Sequence, residues 1–185
     1  MPHYLSMVRV TALLILLASP AWADATGPAR VIDGDTIQIA GERIRLHGID
    51  APEKNQFCWI NGVPWECGLA ASRELVQLTV GKHIICREKD VDRYGRTVAV
   101  CYVGLTDVNA AMVANGWALA YRQYSTDYVG IEQKARAAQR GLWKGEFVPP
   151  WDWRHGERLS NADAISDQSS PAVCYKFYRK GESLW

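Results

Sequence analysis

Two short acidic segments carry the residue types best suited to chemistry. Asp33-Gly34-Asp35-Thr36 sets two carboxylates at a tight turn, and Asp50-Ala51-Pro52-Glu53 sets two more where a strand runs out. Carboxylates gathered on loops suit a hard cation such as calcium, which takes oxygen ligands in a flexible shell. Arg45 lies on the strand between them, and Arg96 closes Asp92-Arg93-Tyr94-Gly95-Arg96. Guanidinium forks bind phosphate oxygens in pairs and offset the extra charge of a pentacoordinate transition state, so the combination suits chemistry at a phosphate diester. Taken singly, each feature has an ordinary reading. Asp-Gly-Asp is a common turn, and an isolated arginine is usually a solvated surface group.

The elements that must position these residues are short. Residues 29–32, 36–40 and 43–49 read as β-strands joined by tight turns. The third alternates, with Ile44 and Leu46 on one face and Arg43, Arg45 and His47 on the other. Residues 50–68 lack a sustained period and read as a long loop, closed by a bridge between Cys58 and Cys67. A helix is predicted over 69–79, then strands over 83–88 and 97–103 around the polar turn 90–95, whose symmetry pairs Cys86 with Cys101. Asp107 is an N-cap for a helix through Asn115, and Tyr128, Ile131, Ala135, Ala138 and Leu142 mark a third helix. Tryptophans beside prolines at 149–153 read as a strap that packs on something. This order predicts an α+β fold, a five-stranded OB-type Greek-key β-barrel with three helices.

Residues 1–23 read as a secretory signal peptide, with an apolar run over 10–18 and Ala21-Trp22-Ala23 as the cleavage site. The expected protein is thus secreted or periplasmic, with no membrane segment once the leader is removed. One domain is expected over 24–154, followed by a flexible polar tail, 155–185. Five cysteines behind a leader, none in a CxxC pair, point to disulfides rather than to zinc and leave Cys174 as the odd thiol. The whole chain has 21 Lys and Arg against 20 Asp and Glu, and losing Arg9 with the leader balances the two. Bulk charge does not mark a nucleic-acid binder, so phosphate recognition must come from local clusters.

In order and spacing, Val31-Ile32-Asp33-Gly34-Asp35-Thr36, then Arg43-Ile44-Arg45-Leu46-His47-Gly48-Ile49-Asp50-Ala51-Pro52-Glu53, then Asp92-Arg93-Tyr94-Gly95-Arg96 resemble the staphylococcal nuclease (thermonuclease) family. Asn109 to Ala118 and Gly141-Leu142-Trp143 extend the likeness, which covers residues 29–143. The resemblance implies a calcium-dependent nuclease acting on DNA or RNA with little sequence preference. It implies Asp35 and Asp50 as calcium carboxylates, with a main-chain carbonyl from Ala51, where the founding member has threonine. It further implies Glu53 as general base, Arg45 and Arg96 as the phosphate clamp, and Asp33 as a supporting group that fixes the turn or a calcium-bound water. Tyr94 and Tyr124 would meet the sugar and base, Arg93 would also bind the substrate, and the protein is expected to be a monomer. The cysteine-bearing insert after Glu53, the neutral charge balance and the Trp-rich strap depart from the founding member. Two rival readings stand beside this one. A catalytically silent OB-fold module binding nucleic acid or protein would be expected to have lost these side chains. An aspartyl-phosphate phosphatase would need alternating βα units, which the chain lacks.

Overall fold

The computed structural model describes residues 24–159; the predicted leader, Cys174 and most of the predicted tail lie outside the described residues. The chain opens with β1 (Ala25–Gly27), β2 (Ala29–Val31), β3 (Thr36–Ile39), β4 (Glu42–Leu46) and β5 (Ile49–Asp50). Next come β6 (Cys58–Ile60), β7 (Val63–Trp65), α1 (Cys67–Thr79), β8 (Ile84–Val91) and β9 (Thr97–Val103). The remainder is β10 (Thr106–Asp107), α2 (Val108–Ala114), β11 (Leu119–Ala120), α3 (Val129–Ala137), a 3-10 turn at Gly141–Lys144 and α4 (Pro150–Arg154). The fold is α+β.

The main sheet runs β1-β8-β9-β4-β3-β2, with β10 added on β9. Its pairings are antiparallel except for β4 with β9, where Arg45 stands opposite Val98. Among the described strands the hydrogen-bonded ladder does not close on itself. Its end strands, β1 and β2, are nevertheless separated in sequence by Pro28 alone, so the two edges of the sheet are tied together within one residue. This is compatible with an OB-type barrel. The alternation read in the third strand holds: Ile44 and Leu46 are buried with Ile37 and Ile39, and Arg45 points the other way. A first core forms from these residues with Leu75 of α1, Ile84 of β8 and Met112 of α2. A second joins Leu119, Ala135, Leu142, Trp143 and Phe147 to the cysteines 58 and 67, with Trp65 and Trp151 packed against it.

The five predicted strands are present as β2, β3, β4, β8 and β9, and the short ones are additional. The third strand stops at Leu46 rather than at residue 49, because Gly48 turns with a φ of +70°. A side chain there would meet the Ser125 Cβ at 3.0 Å and the Tyr128 ring at 3.1 Å. Ile49 and Asp50 consequently leave the sheet and pair with β11. The segment read as a long loop contains a hairpin, β6 with β7, turned by Asn61 and Gly62, both at positive φ. Asn-Gly between apolar runs is the usual sequence mark of such a turn. Both expected disulfides are formed: Cys58–Cys67 ties the hairpin to α1, and Cys86–Cys101 crosses directly paired positions of β8 and β9.

The predicted N-cap of α2 is in place, with Asp107 Oδ1 accepting from the Ala110 N–H at 2.8 Å. The third helix ends at Ala137 instead of 142. Gln139 and Gly141 have left-handed backbones, and a Cβ on Gly141 would lie 2.4 Å from the Gly116 carbonyl oxygen. The strap is ordered: it forms α4, with Pro149 and Pro150 buried.

Candidate active site

The Asp-Gly-Asp turn is held from both sides. Asp33 Oδ1 accepts the Asp35 N–H at 3.1 Å, closing the local turn. Asp35 is buried; its Oδ1 accepts from the Thr36 hydroxyl at 3.0 Å, and its Oδ2 from the Ala51 N–H at 3.0 Å. Only glycine fits between them, because a Cβ on Gly34 would sit 2.7 Å from that of Ala51 and 3.0 Å from that of Ala71. The two acidic segments, 16 residues apart, therefore lie against each other beneath α1.

Arg45 reaches across both. Its Nη1 donates to Asp35 Oδ1 at 2.9 Å and its Nη2 to Asp50 Oδ1 at 2.7 Å. The Asp50 side chain is fully buried. Burial and then the Asp35 charge push the Asp50 carboxyl above its ordinary range, against the pull of the arginines. Burial and Asp35 also push Asp33 up. Burial works against the Arg45 charge, but Asp35 and Asp50 together outweigh it and keep the guanidinium protonated.

Glu53 stands at the rim, its side chain 36% exposed. Its backbone is fixed by Gln56, whose side-chain oxygen accepts the Glu53 N–H at 3.2 Å and whose own N–H donates to the Glu53 carbonyl at 2.7 Å. Gln56 is fully buried, and its Nε2 donates to the Val148 carbonyl at 2.7 Å, which ties the Glu53 loop to the segment leading into α4.

A cleft of about 550 Å³ opens over these groups, within the range of small-ligand sites. Asp33, Asp35, Arg45, Ala51 and Glu53 line it, with Asp50 buried beneath. The hairpin between β8 and β9 supplies Arg93, Tyr94 and Arg96, and the segment after β11 supplies Tyr124. Every residue expected from the sequence is thus at one place. Arg96 donates from Nε to Asp92 Oδ2 at 2.7 Å, and Arg93 and Arg96 lie over the Tyr94 ring at 4.9 and 5.5 Å. Tyr94 and Tyr124 are largely exposed, as surfaces for stacking would be.

Among the described residues no group of three or more His, Cys, Asp or Glu side chains is arranged to hold a metal ion. The expected set is a pair of carboxylates, Asp35 and Asp50, with Arg45 between them and Ala51 alongside. The donors fit a hard cation: they are oxygens only, and of the two causes that raise Asp50, burial and then the Asp35 charge, the second is one that a cation relieves.

Three residues of the site were not singled out from the sequence. Arg154 of α4 donates to Asp50 Oδ2 at 2.7 Å, to Asp50 Oδ1 at 3.1 Å and to Glu53 Oε1 at 2.9 Å. Tyr121 lines the cleft, edge-on to Tyr124 at 4.9 Å and stacked on Trp151 at 5.6 Å. Gln56 is the third. The Trp-rich strap was the available signal for Arg154, which follows it directly.

The family model for staphylococcal nuclease homologues matches residues 43–145. Protein ParB of Escherichia coli is 39% identical, over 80% of this chain and 91% of its own length. A micrococcal nuclease of Shigella flexneri is 37% identical, over 80% of this chain and 90% of its own. An uncharacterized endonuclease of Escherichia coli O157:H7 is 40% identical, over 68% of this chain and 82% of its own. With the family match spanning more than half of the sequence and these relatives aligned over most of their length, the chain belongs to the staphylococcal nuclease family.

Proposed function

We propose that this protein is an exported, calcium-dependent nuclease that hydrolyses phosphodiester bonds of DNA, RNA or both with little sequence preference, acting as a monomer in the periplasm or outside the cell. That it is a nuclease follows its relatives. The observation that carries the finer reading is the convergence of Arg45, Glu53 and Arg96 on one cleft above Asp35 and Asp50. Two disulfides support an oxidising compartment.

In this reading Arg45 and Arg96 hold the scissile phosphate and offset the charge that builds on its oxygens. Glu53, at the rim, takes a proton from the attacking water as the new P–O bond forms. The P–O5′ bond then breaks, its electron pair leaving with O5′ and a 3′-phosphate remaining. A calcium ion held by Asp35, Asp50 and the Ala51 carbonyl would supply further positive charge beside the phosphate. Arg93, Tyr94 and Tyr124 contact the neighbouring sugar and base, and because every base has a stackable face, sequence selectivity is weak.

Matched DNA and RNA substrates, offered to the purified protein with calcium and with chelator, test this. Cleavage lost on chelation and restored by calcium is the expected result. Binding without cleavage under every condition would instead support the silent module.

A further inference from the structure

The α4 helix lies outside the segment that matches the family model, yet it reaches into the centre of the cleft. It is firmly placed there. Pro149 and Pro150 are buried, the Val148 carbonyl is held by Gln56, and Trp151 stacks on Tyr121. From this base Arg154 makes three hydrogen bonds to Asp50 and Glu53. Asp50 has both oxygens engaged by guanidinium groups, Oδ1 by Arg45 and Arg154 and Oδ2 by Arg154.

The two arginines are not equivalent. Arg45 projects from a strand inside the sheet, with 18% of its side chain exposed, and bridges two aspartates. Arg154 projects from the last turn of a five-residue helix, with 35% exposed, so it can leave Asp50 without disturbing the sheet. A divalent cation that uses Asp50 as a ligand needs an oxygen that now accepts from Arg154, and like charges a few ångströms apart in a partly buried site repel strongly. Because α4 is covalently attached, its guanidinium competes at a high effective concentration.

We propose that Arg154 is a further arginine of the active site, delivered by the strap, which competes with a divalent cation for Asp50 while also engaging Glu53, and thereby sets the cation concentration at which the site loads. This rests on the reading of Asp35 and Asp50 as calcium carboxylates. Arg154 is then a positioning residue: it holds the acids in place before the cation arrives, and it is released when the cation takes Asp50. Competition for one ligand is reciprocal, so cation binding must loosen the strap by as much as the strap weakens cation binding.

Calorimetric titration of calcium into wild type, Arg154→Ala and Arg154→Lys, without nucleic acid, tests the proposal. Arg154→Ala should bind calcium about tenfold more tightly, toward the lower end of the couplings usual between linked binding events. Arg154→Lys, which keeps the charge and loses the fork, should fall between. Equal affinities, or weaker binding by Arg154→Ala, would overturn the competition while leaving the metal site standing. No calcium binding by any of the three would remove both. Amide exchange in the wild type gives a readout that needs no variant. Residues 151–154 should exchange faster when calcium is added, and unchanged exchange under saturating calcium would overturn the proposal.

Discussion

A methyl group on Gly68 has nowhere to go. Gly68 is the second residue of α1, and a Cβ built there would lie 1.8 Å from the Glu53 carbonyl oxygen, 2.7 Å from the Glu53 carbonyl carbon and 3.0 Å from that of Lys54. Its φ is not in the left-handed region, so the conflict is purely steric. Relief to an ordinary contact requires the Glu53 backbone or the start of α1 to move by roughly 1.5 Å, and the clashing atoms are main chain rather than the far end of a flexible side chain. Alanine in a helix gains up to ~1 kcal/mol over glycine, whereas overpacking a closed site costs about 1–3 kcal/mol, so the net loss of stability should be modest, about 0–3 kcal/mol. The effect on turnover should be larger. A displacement of about 1 Å in a catalytic group is enough for a loss of about 10²-fold, and Glu53, the proposed base, is the group displaced. Urea unfolding and steady-state cleavage measured on the same preparation of Gly68→Ala separate the two quantities. Wild-type turnover from a folded Gly68→Ala protein would refute the idea that this close approach positions Glu53.

Glu53→Gln keeps the size of the side chain and removes the proposed base, so turnover should fall by roughly 10²–10⁴-fold while substrate binding persists; cleavage at wild-type rates would leave the proposed mechanism without its base. Arg96→Ala should reduce turnover by about 10³-fold or more if it contacts the transferred charge as other phosphoryl-clamping arginines do, and a change confined to KM would reassign it to binding alone. Replacing Cys86 and Cys101 together by serine removes the link between β8 and β9, which closes a 15-residue separation; a stability loss of about 3 kcal/mol is expected by denaturant unfolding, and an unchanged midpoint would show that the paired strands hold without it.

What was legible in the sequence was local. The Asp33–Asp35 turn, the alternation that turns Arg45 away from Ile44 and Leu46, and the Asp92–Arg96 turn each lie within a dozen residues, and each is where its pattern places it. The cysteine pairs were legible for the same reason, since both close short separations. The corner at Gly48 was hidden because its cause, the packing of Ser125 and Tyr128, lies some 80 residues away. Gln56 meets Val148 across 92 residues, and Arg154 meets Asp50 across 104. No period encodes such contacts. The β6–β7 hairpin is different: Asn61-Gly62 was a usable turn signal, obscured by Pro64 and by the shortness of the strands it joins.

The nearly neutral charge balance of the sequence, +1 overall, and the phosphate chemistry proposed for the cleft are reconciled by how the charges are paired. Arg45 and Arg154 both donate to carboxylates, and Arg96 donates to Asp92, so the cleft offers an incoming phosphodiester few uncommitted cations. It also offers repulsion, since Asp33, Asp35 and Glu53 line the same space. An anion can gain from such a site only by exchange: the carboxylates must find another positive partner before the guanidinium groups turn to phosphate. A divalent cation on Asp35 and Asp50 would make that exchange possible for Arg45 and Arg154, which gives the proposed calcium requirement a basis in the charge distribution of this chain as well as in family likeness. Arg154 would change partner in the same exchange. It is the one arginine of the site carried on an element outside the sheet and the β8–β9 hairpin, so it can change partner without a rearrangement of the fold.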